Sequence, residues 1–429
     1  MKKLLIIAHF WPYREGSGRV IGLAKYLPEF GWEPIVLTAP LNEKPDQFRI
    51  IEIPYKDVIG SLKKKFHLRP DRGFQEQIGI PLVIREAKNS FINKLITLIE
   101  GFITYPDRYK GWKPFALEGA SKFLHKENIG AMISIWPVAS HIIAKELKVK
   151  HKIPWIADLP DLWSQNHNYH YGRLRLFFDQ RLELQTLSLA DALTTVTQPW
   201  AENLKALHKR ESVYAITHGF NPDTLNTAPA DLTDKFTITY TGAIYRGKQD
   251  PSKLFAALKD LIIEGTINPN DIEVRFYGLK LDWLASEIEK HGLSTIARYY
   301  GAVPTEIAFE KQRESQLLLL LNWEVSWEDQ REKGWCPLKI YAYLAAQRPI
   351  LAIGGTGDDV VKKLLYEIKA GIYCKTVEDS KNALKELYLE YKQKGKVTYN
   401  GDIKKINKYN YREKAKQFVE ILDRITQKD

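Results

Sequence analysis

The feature that most constrains this chain is a pattern laid down twice: a short, wholly apolar run, a loop carrying glycine or an acid, then a helical period. Runs that apolar, without alternation, must be covered on both faces, which a parallel sheet flanked by helices achieves. In the first half the runs fall at 4–8, 34–38, 50–53, 131–135, 155–158, 192–197 and 213–216, with a helix expected over 19–30. Around 218–235 the pattern stops among Gly219, Asn221, Asn226, two prolines and several aspartates, the composition of a linker. It restarts with strands at 236–241, 273–277, 317–321 and 349–353 and a helix near 253–263. A last helix over 411–425 sets Phe418, Ile421, Leu422 and Ile425 on one face. The expected fold is α/β, with two doubly wound, Rossmann-like domains facing a cleft at the ends of their strands. The expected boundaries are 1–220 (interrupted by an irregular insertion at 56–105), a linker at 221–235, 236–409, and a C-terminal helix at 410–429 placed to cross back.

Charge and cysteine usage narrow the functional classes. The net charge of +11 fits a nucleic acid, an anionic membrane surface or phosphorylated small substrates. No basic block exceeds Lys63, Lys64 and Lys65, and neither zinc spacing nor an RNA-binding aromatic signature is present, so nucleic acid is not expected. Cys336 and Cys374 are too few for a disulfide framework and wrongly spaced for a metal site, which favours the cytoplasm. The start, MKKLLIIAHFWP, reads as a first strand rather than a signal peptide, because His9 and Pro12 interrupt it.

Five places could carry chemistry. Gly16, Ser17 and Gly18 precede a helix, where close backbone approach and a helix N-terminus suit an anion; a plain strand-to-helix turn explains them equally well. In TYTGAIYRGKQD, at 239–250, a strand ends at Gly242 and the loop carries Arg246 and Lys248, a glycine beside cations as a diphosphate requires. In GWCPLKIYAYLAAQRP, at 334–349, Lys339 lies near a helix start after Gly334, Trp335 and Cys336, whose amides could face a ligand. IPWIADLPDLWS, at 153–164, ends a strand with Asp158 and Asp161, either site groups or turn caps. His141 follows another strand end and is either a site group or a helix-surface histidine; His9 follows the first strand directly. Separately, the basic and apolar stretch Leu62, Lys63, Lys64, Lys65, Phe66, Leu68 and Arg69 suits an anionic membrane interface, and Phe91 to Ile103 keeps one helical face apolar.

Taken in order, GSGR, PWIADLPDLW, VYAITHGFNPD, TYTGAIYRGK, YGAVP and PLKIYAYLAAQRPILAIGG resemble the retaining GT-B glycosyltransferases of family 4, particularly bacterial and archaeal members that build surface polysaccharides. The resemblance covers almost the whole length. It implies transfer of a sugar from a nucleoside diphosphate-sugar to a saccharide or polyprenyl-linked acceptor hydroxyl, with retention, without a metal or other cofactor, at the inner face of the cell membrane. It assigns donor binding to Gly16, Ser17, Gly18, Gly242, Arg246, Lys248, Gly334, Trp335, Cys336, Lys339 and the 342 position. Asp158 and His141 are the candidate catalytic groups, and Asp161 the acceptor-side group. Two positions depart from the family pattern. Ala342 stands where the family carries the glutamate that holds ribose hydroxyls, with Gly334 at the position of its partner glutamate, and Pro160 stands where an arginine is usual. Two alternatives stay open: an impaired or non-catalytic sugar-nucleotide-binding protein, which Ala342 supports, and a nucleotide-sugar epimerase of the same fold.

Overall fold

The computed structural model describes residues 1–9, 18–41, 45, 47–57, 101–169, 171–226, 230–324 and 333–427. The chain forms two compact units, Met1–Thr217 with Ala415–Asp429, and His218–Lys414.

Unit 1 is a seven-stranded parallel sheet built from β1 (Lys2–Ile7), β2 (Trp32–Thr38), β3 (Arg49–Glu52), β4 (Ala131–Ile135), β5 (Trp155–Leu159), β6 (Ala192–Thr195) and β7 (Val213–Ala215). Its order, β3-β2-β1-β4-β5-β6-β7, reverses direction between β1 and β4. The central strands are apolar throughout because both their faces are covered: Leu4, Leu5, Ile6 and Ile7 are all fully buried. The helices are α1 (Gly18–Tyr26), α2 (Lys113–Leu124), α3 (Val138–His151), α4 (Arg173–Leu187) and α5 (Gln198–His208). The helix expected over 19–30 ends its α-helical part at Tyr26 and tightens into a 3-10 turn carrying Pro28, which Gly31 closes in the left-handed region.

Unit 2 repeats the plan with β8 (Phe236–Thr241), β9 (Ile272–Tyr277), β10 (Ala297–Gly301), β11 (Leu317–Leu321), β12 (Ile350–Ile353) and β13 (Gly371–Cys374), in the order β10-β9-β8-β11-β12-β13. Around it lie α6 (Ser252–Ile263), α7 (Asp282–Lys290), α8 (Thr305–Arg313), α9 (Lys339–Ala346), α10 (Val360–Ile368), α11 (Val377–Lys394) and the short α12 (Ile403–Ile406). Successive strand residues feed opposite layers: Leu317, Leu319 and Leu321 join the core with Leu254 and Leu258, while Leu318 and Leu320 join the one with Ile340 and Leu344. The sequence pattern did not announce β10 and β13. Both are edge strands: β10 mixes exposed with buried residues, and β13 opens on Gly371, where a Cβ would lie 2.1 Å from the Ile350 carbonyl oxygen.

The division between units precedes the expected linker. Phe220 already belongs to unit 2, where it accepts from the Tyr411 N–H (2.9 Å) and donates to the Tyr409 oxygen (3.1 Å). A Cβ on Gly219 would stand 2.7 Å from that same oxygen, so the crossing needs glycine. The last helix, α13 (Tyr411–Thr426), belongs to unit 1 from Ala415 onward and buries Phe418, Ile421 and Leu422 there. Of the expected insertion, Leu62 to Arg69 and Phe91 to Ile99 lie outside the described residues. Among the described residues no helix is long and apolar enough to cross a membrane.

Candidate functional site

In unit 2 the ends of β8 and β9 are stripped to backbone. Gly242, at φ +102°, donates its N–H to the Tyr277 oxygen (2.7 Å), and a Cβ on Gly278 would lie 2.3 Å from the Gly242 oxygen. No side chain fits between those strand ends. Over them comes α9. Its Tyr343 hydroxyl, fully buried and pushed up to about 12 by that burial, accepts the Thr241 N–H at 3.1 Å. Its first residue, Lys339, reaches past the Tyr240 ring, with Nζ 3.7 Å from the centroid, donating to the Tyr240 hydroxyl and the Ala243 oxygen (3.3 Å). Nζ would be 3.4 Å from a Cβ on Gly242. A lysine, a helix start and an open backbone thus meet beside the point where the strand order reverses, between β8 and β11.

The loop after β8 turns tightly. The Lys248 N–H donates to the Tyr245 oxygen (3.0 Å) across Gly247, at φ +77°, leaving Arg246 at the exposed corner. The two loop cations therefore diverge. Lys248 lies over Trp323, 5.1 Å from the ring centroid, and Trp323 stacks on Trp335 at 4.5 Å. Arg246 instead lines an open groove of about 660 Å³ with Lys253 on α6 and Trp283 on α7. The loop is held to β11 by the Gln249 side chain, which donates to the Leu321 oxygen at 2.8 Å. Cys336 is buried against the Tyr341 hydroxyl (3.9 Å), and burial pushes its thiol up to about 12, so this residue can face a ligand only through its backbone. Ala342 lies one turn beyond Lys339 and is partly exposed. Gly16 and Ser17 lie outside the described residues, while Gly18 opens α1.

Sequence reasoning missed the carboxylates at this edge. Glu324 follows β11, pairs with Lys253 at 2.6 Å, and lies over Gly354, where a Cβ would be 2.7 Å from Oε1. Asp359 caps α10 through the Lys362 N–H (3.0 Å) and accepts the Tyr373 hydroxyl at 2.7 Å. Gly355 leaves room for that pair: its Cβ would meet Asn322 Nδ2 at 2.5 Å and Asp359 Oδ2 at 2.6 Å. The available signals were the polar NWE immediately after five leucines and the GGTG run after β12.

Unit 1 corrects two assignments. Asp158 does not present its carboxylate to a ligand: fully buried, it accepts from Arg19 Nε (2.6 Å), Arg19 Nη2 (2.9 Å) and the Thr194 hydroxyl (2.7 Å). Arg19, unremarked in the sequence beyond its motif, also donates to the Thr217 oxygen (2.9 Å) and lies 5.1 Å from the Phe418 ring centroid. Asp158 thus positions α1 against β5 and, through Arg19, α13. His141 is neither on a helix surface nor in an open site: it is fully buried, with Nδ1 2.7 Å from the Ser134 hydroxyl, which accepts the Trp155 indole N–H at 2.8 Å. Burial holds its imidazole down at about 3, so it stays neutral at ordinary pH. Asp161 alone of the three is solvent-exposed, and the protein packed around it pushes its carboxyl above the usual range. His9 is enclosed by Tyr55, Tyr109 and Trp112, with ring centroids at 5.4, 4.6 and 5.0 Å.

No protein-family profile matches the chain, and no curated protein matches it by sequence. Solved structures do match in fold. The sucrose-phosphate synthase of Thermosynechococcus elongatus superposes with TM-score 0.61 at 12% identity, covering 100% of both chains. An α,α-trehalose-phosphate synthase (UDP-forming) from Burkholderia vietnamiensis superposes with TM-score 0.59 at 10% identity, over 99% of this chain and 100% of that one. WaaG, a glycosyltransferase involved in lipopolysaccharide biosynthesis, superposes with TM-score 0.53 at 10% identity, over 97% and 95%. The fold is GT-B, with two Rossmann-like domains, as the order of motifs implied.

Proposed function

We propose that this protein is a glycosyltransferase that binds a nucleoside diphosphate-sugar at the C-terminal edge of the unit 2 sheet and passes the sugar, with retention, to a saccharide or polyprenyl-linked acceptor hydroxyl. The observation that carries the reading is Lys339 at the start of α9, directed over the open backbone of Gly242 at the strand-order reversal. As the glycosidic bond breaks, negative charge gathers on the departing diphosphate. A lysine and a helix N-terminus fixed at that place stabilise the charge without rearranging. Gly242 lets phosphate oxygens approach the backbone, Gly278 lets the ends of β8 and β9 close on each other, and the amides of Gly334 to Cys336 lie a few residues before Lys339 in the chain. Lys248 on its Trp323 support is the second cation of this reading; Arg246, turned into its own groove, is peripheral to it. No metal is required, since lysine and amides meet the charge. Asp161 is assigned to the acceptor because the residue stands at the surface, whereas Asp158 is engaged on both oxygens.

A second reading rests on Ala342. A methyl group cannot accept ribose hydroxyls, so a protein built this way could bind donor without turning it over efficiently. Calorimetric titration of a panel of nucleoside diphosphates, with Lys339→Ala alongside, tests binding; donor turnover by the wild type and by Ala342→Glu tests catalysis. Nucleotide binding that depends on Lys339, with turnover in the wild type, is the expected result. Turnover in Ala342→Glu alone identifies a binding protein. No nucleotide binding at all removes both readings.

A further inference from the structure

Helix α4 is inverted relative to an ordinary surface helix. Its two acids point inward: Asp179 is 2% exposed and accepts from Tyr169 (2.7 Å) and Arg175 Nε (2.8 Å). Glu183 is fully buried, accepting the Ser164 N–H (2.9 Å) and facing His208 Nε2 at 3.3 Å. Arg175, on the same face, donates to the Gly101 and Pro106 oxygens and binds the 101–106 segment to the helix. Four of its apolar residues point outward. Leu174, Phe177, Phe178 and Leu184 are 54%, 57%, 42% and 37% exposed, and Phe102, on the segment Arg175 holds, is 60% exposed. Single exposed leucines are commonplace; a helix with its acids buried and two adjacent phenylalanines in water is not.

The charge on that outer face points to its partner. Both acids of α4 are buried, so the charges it shows are Arg173 and Arg181, lying before and between the exposed apolar side chains. We propose that the outer face of α4, with Phe102, docks on an anionic lipid surface. Phenylalanine rings enter the boundary between headgroups and acyl chains while the two guanidiniums meet lipid phosphates, and the overall charge of +11 attracts the protein toward that surface. This goes beyond the transferase reading and does not depend on it, because the test contains no sugar nucleotide.

The test is flotation of the full chain with vesicles of phosphatidylcholine alone and of equal parts phosphatidylcholine and phosphatidylglycerol. Wild type should float with the anionic vesicles only, and F177S/F178S should lower that partition about tenfold or more. R173E/R181E should lose it as well; these surface changes leave the core untouched, so they decide the matter should the serine variant fail to fold. A wild type that stays at the bottom of both gradients, or that floats equally with each lipid, overturns the proposal. A concentration-dependent dimer, lost in F177S/F178S and indifferent to lipid, assigns the face to a second copy instead and also overturns it.

Discussion

The two sheets share one strand order over six strands, yet their C-terminal edges are furnished in opposite ways. In unit 1 the edge is filled: Arg19 and Asp158 are locked as a buried pair, and rings enclose His9. In unit 2 it is lined with glycines, Gly278, Gly354 and Gly355 closed against neighbouring groups and Gly242 facing the ammonium of Lys339. Strand order only says where a ligand could bind. Whether it can bind there depends on what the residues after each strand leave uncovered.

The largest effect is expected at Asp158. If it holds α1 in place, Asp158→Ala should cost about 3–5 kcal/mol in chemical denaturation by stranding a buried guanidinium; a stable variant with lost transfer would restore it as a reacting group. On the glycine-lined side, Gly278→Ala drives a Cβ into the Gly242 backbone and should cost about 2–3 kcal/mol, with nucleotide binding lost as well. An unchanged melting curve would show that these strand ends tolerate a side chain.

The filled interior should also respond to acid. His141 is held near 3 in the fold against 6.5 when unfolded, so its contribution is present above 6.5 and is lost as pH falls below it. Between pH 7 and pH 5 the wild type should lose about 2 kcal/mol more than His141→Gln, read from paired denaturation series. Asp107, raised to about 6 by burial, acts with the opposite sign, adding stability as pH falls through that value. Taking the difference between the two proteins removes its effect. Lys339→Ala should weaken nucleoside diphosphate binding about tenfold, roughly 1.4 kcal/mol, by calorimetry. The smallest effect is expected at Arg246→Ala, about threefold or less, because that side chain turns into the α6–α7 groove; a tenfold loss would place the diphosphate across both cations.

How much could be read in advance varied with the kind of signal. The central strands were legible because five leucines at 317–321 have no alternative to burial on both sides. The places of Gly242 just after a strand and of Lys339 at a helix start were legible from the motifs. Asp158 and His141 were misassigned because a strand end looks alike whether its polar group faces a ligand or an interior partner: Arg19 lies 139 residues from Asp158. The Glu324–Lys253 pair escaped for the same reason, its partners 71 residues apart.

Taken alone, the sequence determined the α/β class, the doubling of the plan and the place where backbone is bare, since these follow from hydrophobic runs and glycines that act locally. Tertiary structure alone decided which charged groups are engaged and which stand open, and that α4 turns its phenylalanines outward. Burial and pairing are properties of what lies opposite a residue, and local composition does not encode what lies opposite.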